Sequence, residues 1–225
     1  GVAVKRIEAG ATDVLDPRVE YTAGRTGVPY LDWGPHKDSW IRGQGYQGWY
    51  SPKRTVHLKT QPVLAGGWTG TQLSALNFPL MRYADVLLMA AECEVEAGSL
   101  EKAREYVNRI RTRAINSPVK RGDGSNAANY DIKIYDAPWT VKATAQAAVR
   151  MERLLELGME GHRFYDLQRW GTAQAELDFY FAYDGAKLAS ALGGSKYSDK
   201  FKWVPIPQDQ IDLVGKDILI QNPGF

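Results

Sequence analysis

The pattern of apolar and polar residues changes sharply near Phe78. Before it, residues 1–76 are rich in Gly and Pro and keep no helical period, although short runs such as "RTVHLKT" alternate apolar and polar side chains. Alternation with a period of two is typical of strands, and frequent Gly and Pro favour turns. We therefore expect this first part to consist of loops with a few short strands.

A helical hairpin is predicted for residues 77–115. The run "FPLMRYADVLLMAAECEVEAG" is apolar around most of a helix, and Pro79 suits its first turn. Gly98 would end this helix, and Ser99 is a suitable N-cap for a second one. The apolar positions at helical spacing in that second helix are Leu100, Ala103, Val107, Ile110 and Ala114. Two helices joined by so short a loop must lie antiparallel, as in a tetratricopeptide-like unit.

The chain after this hairpin begins with residues 116–139, which are rich in turn formers and are interpreted as a surface excursion. The remaining part, residues 140–225, is expected to be mainly helical. A third helix is predicted from after Thr140 to about Leu157. The residues expected on its buried face are Ala148, Met151 and Leu155.

Two more helical stretches and a strand are predicted near the C-terminus. A short helix is expected from about Arg163 to Trp170, closed by Gly171, and another helical stretch lies around residues 172–190. The run "FKWVPIP" is interpreted as an extended strand, because its two prolines forbid a helix. Residues 1–225 are thus interpreted as one mainly α domain, in which the hairpin packs with long irregular loops and a few short strands.

Composition and charge exclude some classes of protein. The 225 residues carry 28 basic and 26 acidic side chains, a net charge of +2 that is too small and too evenly spread to predict a nucleic-acid partner. We find no run of 18 apolar residues and no signal-peptide pattern. The single cysteine, Cys93, is expected to be a buried small apolar residue. Aromatic Trp139, Trp170 and Trp203 adjoin apolar patterns and are expected in the core.

The densest group of charges lies in "ERLLELGMEGHRFYDLQRWG", residues 152–171. Glycosidases hold two carboxyl groups roughly 5 to 10 Å apart, but any helix that repeats Glu every four residues meets this spacing. The use of arginine without lysine instead favours a brace for helices that glycines interrupt. The predicted structural ion-pair network comprises Arg153, Glu156, Glu160, Arg163, Asp166 and Arg169. No catalytic residue, metal site or cofactor is predicted, and His162 is interpreted as a packing residue.

This stretch resembles the signature of the SusD/RagB family, which runs close to E-R-x-x-E-L-x-x-E-G-x-R-F-x-D-L-x-R-W. Further segments agree with the family in the same order along the chain. They are "DPRVEYTAG", "FPLMRYADVLLMAAECEVEAG" with "AREYVNRIRTRA", and the closing "VPIPQDQIDL" and "LIQNPGF". The resemblance spans about residues 16–225.

The resemblance implies an α-α superhelix of tetratricopeptide-like hairpins that support ligand-binding loops. It also implies a lipoprotein on the outward face of the cell outer membrane, and a partner, a SusC-like TonB-dependent transporter. Family members are longer, so the sequence corresponds to the C-terminal portion. The N-terminal half of the family, with the lipid anchor that would make the membrane contact, is not in this sequence.

Candidate ligand-binding residues are concentrated in residues 28–50, where six aromatic rings occur among glycines. These rings form either a small core for an irregular loop or a set of flat faces for sugar rings. The candidates are Trp33, Trp40, Tyr46, Trp49, Tyr50 and the separate Trp68, with Asp32 and Arg42 as hydroxyl partners.

Three functions follow from these patterns. The first is non-enzymatic binding of an oligosaccharide or other nutrient oligomer and its delivery to the transporter. The second is a helical scaffold that binds peptides or proteins. The third, a glycoside hydrolase, depends only on the abundance of carboxylates.

Overall fold

The computed structural model describes residues 12–44, 48–61, 76–185 and 188–225, and these residues are mainly helical, which confirms the predicted fold class. The helices, in chain order, are α1 (Val19–Thr22), α2 (Tyr83–Ala97), α3 (Leu100–Ile115), α4 (Lys142–Glu156), α5 (Arg163–Arg169), α6 (Ala173–Gly185), α7 (Ala189–Leu192) and α8 (Gln208–Val214). By their contacts, the residues up to Gly161 and those from His162 onward form two compact units.

Strands are few and short, as predicted. They are β1 (Val14–Leu15), β2 (Ala23–Gly24), β3 (Ser51–Pro52) and β4 (Asn129–Tyr130). β1 pairs with β4 in parallel, and β2 pairs with β3 in antiparallel fashion. The alternating run "RTVHLKT" is not a strand, and that expectation was wrong. Leu58 is exposed and the run contains two turns, and no strand within the described ranges pairs with it.

The predicted helical hairpin is confirmed. The Ser99 hydroxyl accepts a hydrogen bond from the Lys102 amide at 3.3 Å and so caps α3. The helices α2, α3 and α4 share one apolar core, in which Ala91, Ala103 and Ala145 are fully buried. Such small side chains let helix axes approach closely. Four of the five positions predicted from helical spacing in α3 are buried, and Leu100 packs against their edge.

The first helix of the hairpin, α2, begins later than predicted. It starts at Tyr83, because Arg82 has an extended backbone with φ −133° and ψ 161°. The preceding Phe78 is exposed, so a helix starting at Phe78 was wrong. Cys93 is also exposed, on the outer side of α2 together with Met89, so the expectation that it is buried was wrong as well.

The buried face of α4 differs from the prediction. Ala148 is buried as expected, but Met151 is 51% exposed. The buried positions instead include the charged residues Glu152, Arg153 and Glu156. Charged side chains are almost never fully buried unless they are paired, so this face requires partners from elsewhere in the chain.

Arginines from distant segments supply these partners. Arg18 and Arg111 each direct an Nη1 atom to a different oxygen of Glu152, at 2.6 and 2.9 Å. Arg153 of the same helix donates to Asp85 of α2 at 2.8 Å, and both side chains are almost completely buried. These contacts tie α4 to the N-terminal segment, to α2 and to α3.

Glu156 has the largest set of partners. Arg82 Nη1 lies 2.6 Å from its Oε1, and Arg113 Nη2 contacts both of its oxygens at 2.6 and 2.7 Å. Arg18 Nη1 lies 3.4 Å from its Oε2. Burial by itself would raise the pKa of Glu156, but the hydrogen bonds from Arg82 and Arg113 outweigh burial and hold the pKa below its usual value. The carboxylate therefore stays ionised.

Guanidinium groups also cover the carbonyl end of α4. Arg82 Nη2 donates to the carbonyl of Glu156 at 2.6 Å, and Arg54 Nη2 donates to the same carbonyl at 2.8 Å. Arg82 Nε and Arg54 Nη2 also lie 2.7 and 2.8 Å from the carboxylate of Glu160. The last carbonyls of a helix lack intrahelical donors, and a cation there also interacts favourably with the negative end of the helix dipole. The helix thus ends in a charged cap before Gly161, which has φ +82°.

The unit from His162 onward has its own small core. Leu167, Ala173 and Tyr197 are buried, and Trp170 and Phe181 pack against them. The short helix, its end near Gly171 and the next helix are confirmed, and Gly171 has a φ of +69°. The predicted strand "FKWVPIP" was wrong. Its beginning lies in a 3-10 helix, Asp199–Lys202, and the extended residues that follow pair with no strand among the residues that the structure describes.

We predict that the Arg153–Asp85 pair contributes strongly to stability. Arg153→Met leaves the buried Asp85 carboxylate without its counterion and should lower the free energy of unfolding by about 3 to 5 kcal/mol. Urea unfolding followed by circular dichroism measures this change. Glu105→Gln breaks the exposed Lys102–Glu105 pair and is the control, with an expected loss below about 1 kcal/mol.

A double variant, Arg153→Met with Asp85→Leu, removes both charges and should be more stable than Arg153→Met alone. Equal stabilities of the Arg153→Met and Glu105→Gln chains would contradict the prediction.

The lowered pKa of Glu156 predicts how the free energy of unfolding depends on pH. Its folded-state pKa lies below the ordinary value of 4.5, so at acidic pH the unfolded chain binds more protons than the folded chain. This contribution to the free energy of unfolding is complete well above pH 4.5 and is lost as the pH falls through the folded-state pKa. Urea unfolding between neutral pH and about pH 3 should show a steeper loss for the original chain than for Glu156→Gln. The same loss in both chains would exclude Glu156 as a source of the pH dependence.

Candidate functional site

The aromatic segment 28–50 contains a small core of its own. Val28, Tyr30, His36 and Ile41 are buried. Trp40 meets the rings of Tyr30 and His36 edge-on, with centroids 5.8 and 5.4 Å away. The Tyr30 hydroxyl donates to the Pro52 carbonyl, which joins the segment to β3. This part of the segment fits the interpretation of a miniature core.

Gly24 of β2 is required by the close approach of this core. A Cβ atom at that position would lie 2.3 Å from a ring atom of Tyr30 and 3.1 Å from His36. The antiparallel pairing of β2 and β3 therefore supports the aromatic segment from one side.

Two candidate rings present large exposed areas. Trp33 is 40% exposed and Trp40 is 42% exposed. The Trp33 indole donates from Nε1 to the carbonyl of His57 at 2.9 Å, and its ring meets the His57 ring edge-on. Each indole is thus held on one side and exposed on another, which is the arrangement that a flat sugar-binding face requires.

The other candidates are placed less openly. Trp49 and Tyr50 are partly buried and Arg42 is exposed. Tyr46 and Trp68 lie outside the residues that the structure describes. Trp33 and Trp40 are therefore the first candidates for a binding surface.

Asp32 is exposed, and its carboxylate also anchors the backbone of a neighbouring segment. Its carboxylate accepts hydrogen bonds from the amides of Lys59 and Thr60 at 2.6 and 3.1 Å, and from the Thr60 hydroxyl at 2.9 Å. These bonds hold the turn that carries Leu31, which has φ +54°. Asp32 thereby fixes the backbone beside Trp33.

The carboxylates considered for hydrolysis are poorly suited to acid catalysis. A general acid needs a pKa raised toward neutrality. Glu152 and Glu156 are buried, each accepts from at least two arginines, and the pKa of Glu156 is lowered. This geometry favours a bracing role for these residues over a hydrolytic one.

The six residues that were expected to form one network belong to separate ion pairs and clusters. Arg153 binds Asp85, whereas Glu156 and Glu160 are met by arginines from outside the signature. In the second unit Asp166 is buried and pairs with Arg169 at 2.9 Å. Arg163 contacts the exposed Glu176 at 3.3 Å. His162 is partly buried and makes no side-chain cap to α5.

An apolar cavity in the second unit was missed by sequence reasoning. It has a volume of about 670 Å³. The aromatic residues that line it are Phe164, Phe181, Tyr197, Phe201, Trp203 and Phe225. Trp203 is 60% exposed, so the expectation that it belongs to the core was wrong. These rings come from separate segments without a shared period, and no local pattern brings them together.

Among the described residues, no cluster of three or more His, Cys, Asp or Glu side chains is arranged to hold a metal ion. None of the helices within those ranges combines the length and apolar character that crossing a membrane requires.

Comparison with known proteins connects this fold to a family. A model described as the SusD family matches residues 14–225. SusD-like protein P25 of Formosa agariphila is 36% identical over 99 residues, which are 42% of this chain and 15% of that protein. SusD-like protein P2 of the same organism is 39% identical over 98 residues, which are 43% of this chain and 17% of that protein.

Solved structures agree. A SusD superfamily protein from Bacteroides vulgatus superimposes with a TM-score of 0.61 and 25% identity, over 94% of this chain and 40% of its own. A SusD-like protein from Bacteroides fragilis has the same fold, with a TM-score of 0.59 and 20% identity over 93% of this chain and 39% of its own. The chain thus spans well under half the length of these relatives. Because the family model matches nearly every residue from 14 to the end, the chain belongs to the SusD family.

Proposed function

We propose that this chain is part of a cell-surface protein that binds an oligosaccharide, or another nutrient oligomer, without cleaving it. Membership of the SusD family supports a carbohydrate- or nutrient-binding role in general. Binding of a glycan in particular is the proposal, and its ligand surface would be the aromatic segment 28–50.

The observation that carries the proposal is the pair of exposed indoles, Trp33 and Trp40, on a segment with its own buried core. Flat aromatic faces bind the C–H faces of sugar rings, and a rigid support lowers the entropy lost on binding. Arg42 is exposed near these rings in the sequence and can donate to sugar hydroxyl groups. Tyr46, Trp49, Tyr50 and Trp68 stay further candidates.

We propose that the ligand passes to a SusC-like, TonB-dependent transporter in the outer membrane. The protein would face outward and be held at that membrane by a lipid anchor. The lack of strong net charge, +2, fits a role without nucleic acid. The paired and ionised state of Glu156 supports binding without catalysis.

A second candidate is a scaffold that binds peptides. It is supported by the apolar cavity around Trp203, whose aromatic lining suits apolar side chains better than sugar hydroxyl groups. The two candidates place the ligand in different units, so they can be separated by variants.

We predict that Trp33→Ala weakens oligosaccharide binding about tenfold or more, because removal of an exposed anchor ring commonly costs over about 1.4 kcal/mol. Isothermal calorimetry with a panel of neutral and acidic oligosaccharides measures the effect. Trp40→Ala should act in the same direction. Because Trp40 also contacts Tyr30 and His36, its melting temperature must be measured alongside.

The matched control is Phe179→Ala, which removes an exposed ring in the second unit and should leave binding unchanged. If no oligosaccharide binds, but an apolar peptide does and Trp203→Ser abolishes its binding, the peptide scaffold replaces the glycan proposal. Unchanged glycan affinity in both Trp33→Ala and Trp40→Ala would remove segment 28–50 as the binding surface.

A further inference from the structure

Two cavities in the first unit share a wall. The smaller, of about 220 Å³, is lined by Arg18, Tyr21, Arg54 and Arg113 together with two small residues of the α3 end. The larger, of about 390 Å³, is lined by Tyr21, Arg54, Lys53 and apolar side chains. Tyr21 and Arg54 belong to both linings, so the two spaces adjoin along these residues. Of the described residues, those that line the two cavities include no carboxylate.

Arg113 has hydrogen-bond donors that the brace does not use. Its Nη2 atom alone contacts Glu156, at 2.6 and 2.7 Å from the two oxygens. The side chain is 53% exposed and lines the smaller cavity. A guanidinium carries five N–H donors, so the Nε and Nη1 donors of Arg113 are not used by its contact with Glu156.

Arg54 is in a similar position but deeper. Its Nη2 and Nε atoms contact Glu156, Gly158 and Glu160. Burial lowers the pKa of Arg54, and the neighbouring Arg82 and Arg113 charges lower it further, against the opposing effect of Glu160 and Glu156. These contacts use Nη2 and Nε, so the Nη1 atom of Arg54 is not used by them, and the side chain lines both cavities.

Lys53 lies in the wall of the larger cavity without a carboxylate partner among the described residues. Its side chain is buried, with 6% of the residue exposed, and Nζ donates to the Pro29 carbonyl at 2.8 Å. Nζ also lies 5.7 Å from the centre of the Tyr30 ring. Burial lowers the pKa of Lys53. The Glu20 charge raises this pKa and the Arg25 charge lowers it, but neither residue contacts Nζ directly, so the buried ammonium group would gain from a bound anion.

The brace itself carries surplus positive charge. Among the described residues, five arginines share four carboxylates. The arginines are Arg18, Arg54, Arg82, Arg111 and Arg113, and the carboxylates are Asp16, Glu152, Glu156 and Glu160. Two of the three arginines that line the smaller cavity, Arg54 and Arg113, are those with unused donors. The brace therefore brings unused guanidinium donors of Arg54 and Arg113 to the lining of the smaller cavity.

The larger cavity also offers apolar and aromatic surface. Tyr21 is 42% exposed and its hydroxyl donates to the Ser117 carbonyl at 3.0 Å, which fixes the ring between the two spaces. Leu31 and Val56 line the other side. A volume of 390 Å³ lies in the range of small-ligand sites and accepts a sugar ring, whereas the smaller space accepts its charged substituent.

We propose that the joined cavities around Tyr21 and Arg54 form a subsite for an acidic sugar, with a carboxylate or sulfate group bound by Arg113, Arg54 and Lys53. The proposal rests on the glycan-binding function proposed above and names the substrate class at a second location in the first unit. A sugar is favoured over an acidic peptide because the anion-binding groups adjoin a fixed aromatic ring and a shallow apolar wall. A planar guanidinium also binds carboxylate and sulfate oxygens in the same two-pronged way.

The test compares three tetrasaccharides in calorimetry: a galacturonate oligomer, a sulfated galactose oligomer and a neutral galactose oligomer. We expect at least one acidic oligomer to bind more tightly than the neutral one, with an affinity that falls as NaCl rises from about 50 to about 500 mM. Arg113→Met and Lys53→Met should each weaken the acidic oligomer about tenfold, without changing the affinity of any neutral oligomer that binds. Whichever acidic oligomer binds identifies carboxylate or sulfate as the anion.

Lys102→Met removes the same charge from an exposed position that lines neither cavity, and it should leave binding unchanged. Circular dichroism and melting curves verify that each variant is folded, and Arg113→Met provides the result should the buried Lys53→Met fail to fold.

Three outcomes would overturn the subsite. They are equal affinity for acidic and neutral oligomers, an unchanged affinity of the acidic oligomer in Arg113→Met, and tighter binding of an oligoglutamate peptide than of either acidic sugar. Binding of neutral oligomers that depends on Trp33 but shows no acidic preference would leave the proposed function standing and remove the subsite alone. Failure of every oligosaccharide to bind would overturn both.

Discussion

The structure of the first unit depends on the burial of Glu152 and Glu156 on one face of α4. A buried carboxylate is stable only when cations and hydrogen bonds replace the water it has lost, and both residues therefore need several guanidinium groups. Those groups come from residue 18, from the start of α2, and from α3. Satisfying two acids thus fixes the positions of three segments that are distant in sequence.

Arginine suits this task better than lysine, because its donors point in several fixed directions. Arg82 donates from Nη1 to the carboxylate of Glu156, from Nε and Nη2 to the carboxylate of Glu160, and from Nη2 also to the backbone carbonyl of Glu156 at the end of α4. The same property leaves some guanidinium N–H donors without a role in the brace. Where a bracing arginine reaches the surface, as Arg113 does, one part of its guanidinium is structural and another faces solvent. Bracing and anion binding can therefore share side chains.

What the sequence predicted was local, and what it missed depended on distant partners. The hairpin was predicted because Ala103, Val107 and Ile110 recur at helical spacing and Ser99 caps the helix, and those signals lie within a few turns. The buried face of α4 was not, because Glu152 and Arg153 appear polar until residues 18, 85 and 111 are known to meet them. Trp203 was misplaced for a related reason, since its apolar neighbours come from separate segments.

The aromatic segment 28–50 combines the two alternatives that its sequence left open. Tyr30 and His36 are buried and hold the loop, whereas Trp33 and Trp40 remain exposed on it. In a loop with its own core, an exposed aromatic residue can be substituted while the buried rings beneath it stay in place. The carboxylates of α4 have no such freedom, because each is paired with several cations and a change at one unbalances the others. Ligand preference is therefore expected to vary through exposed rings and unused guanidinium donors, over a charged brace that stays the same.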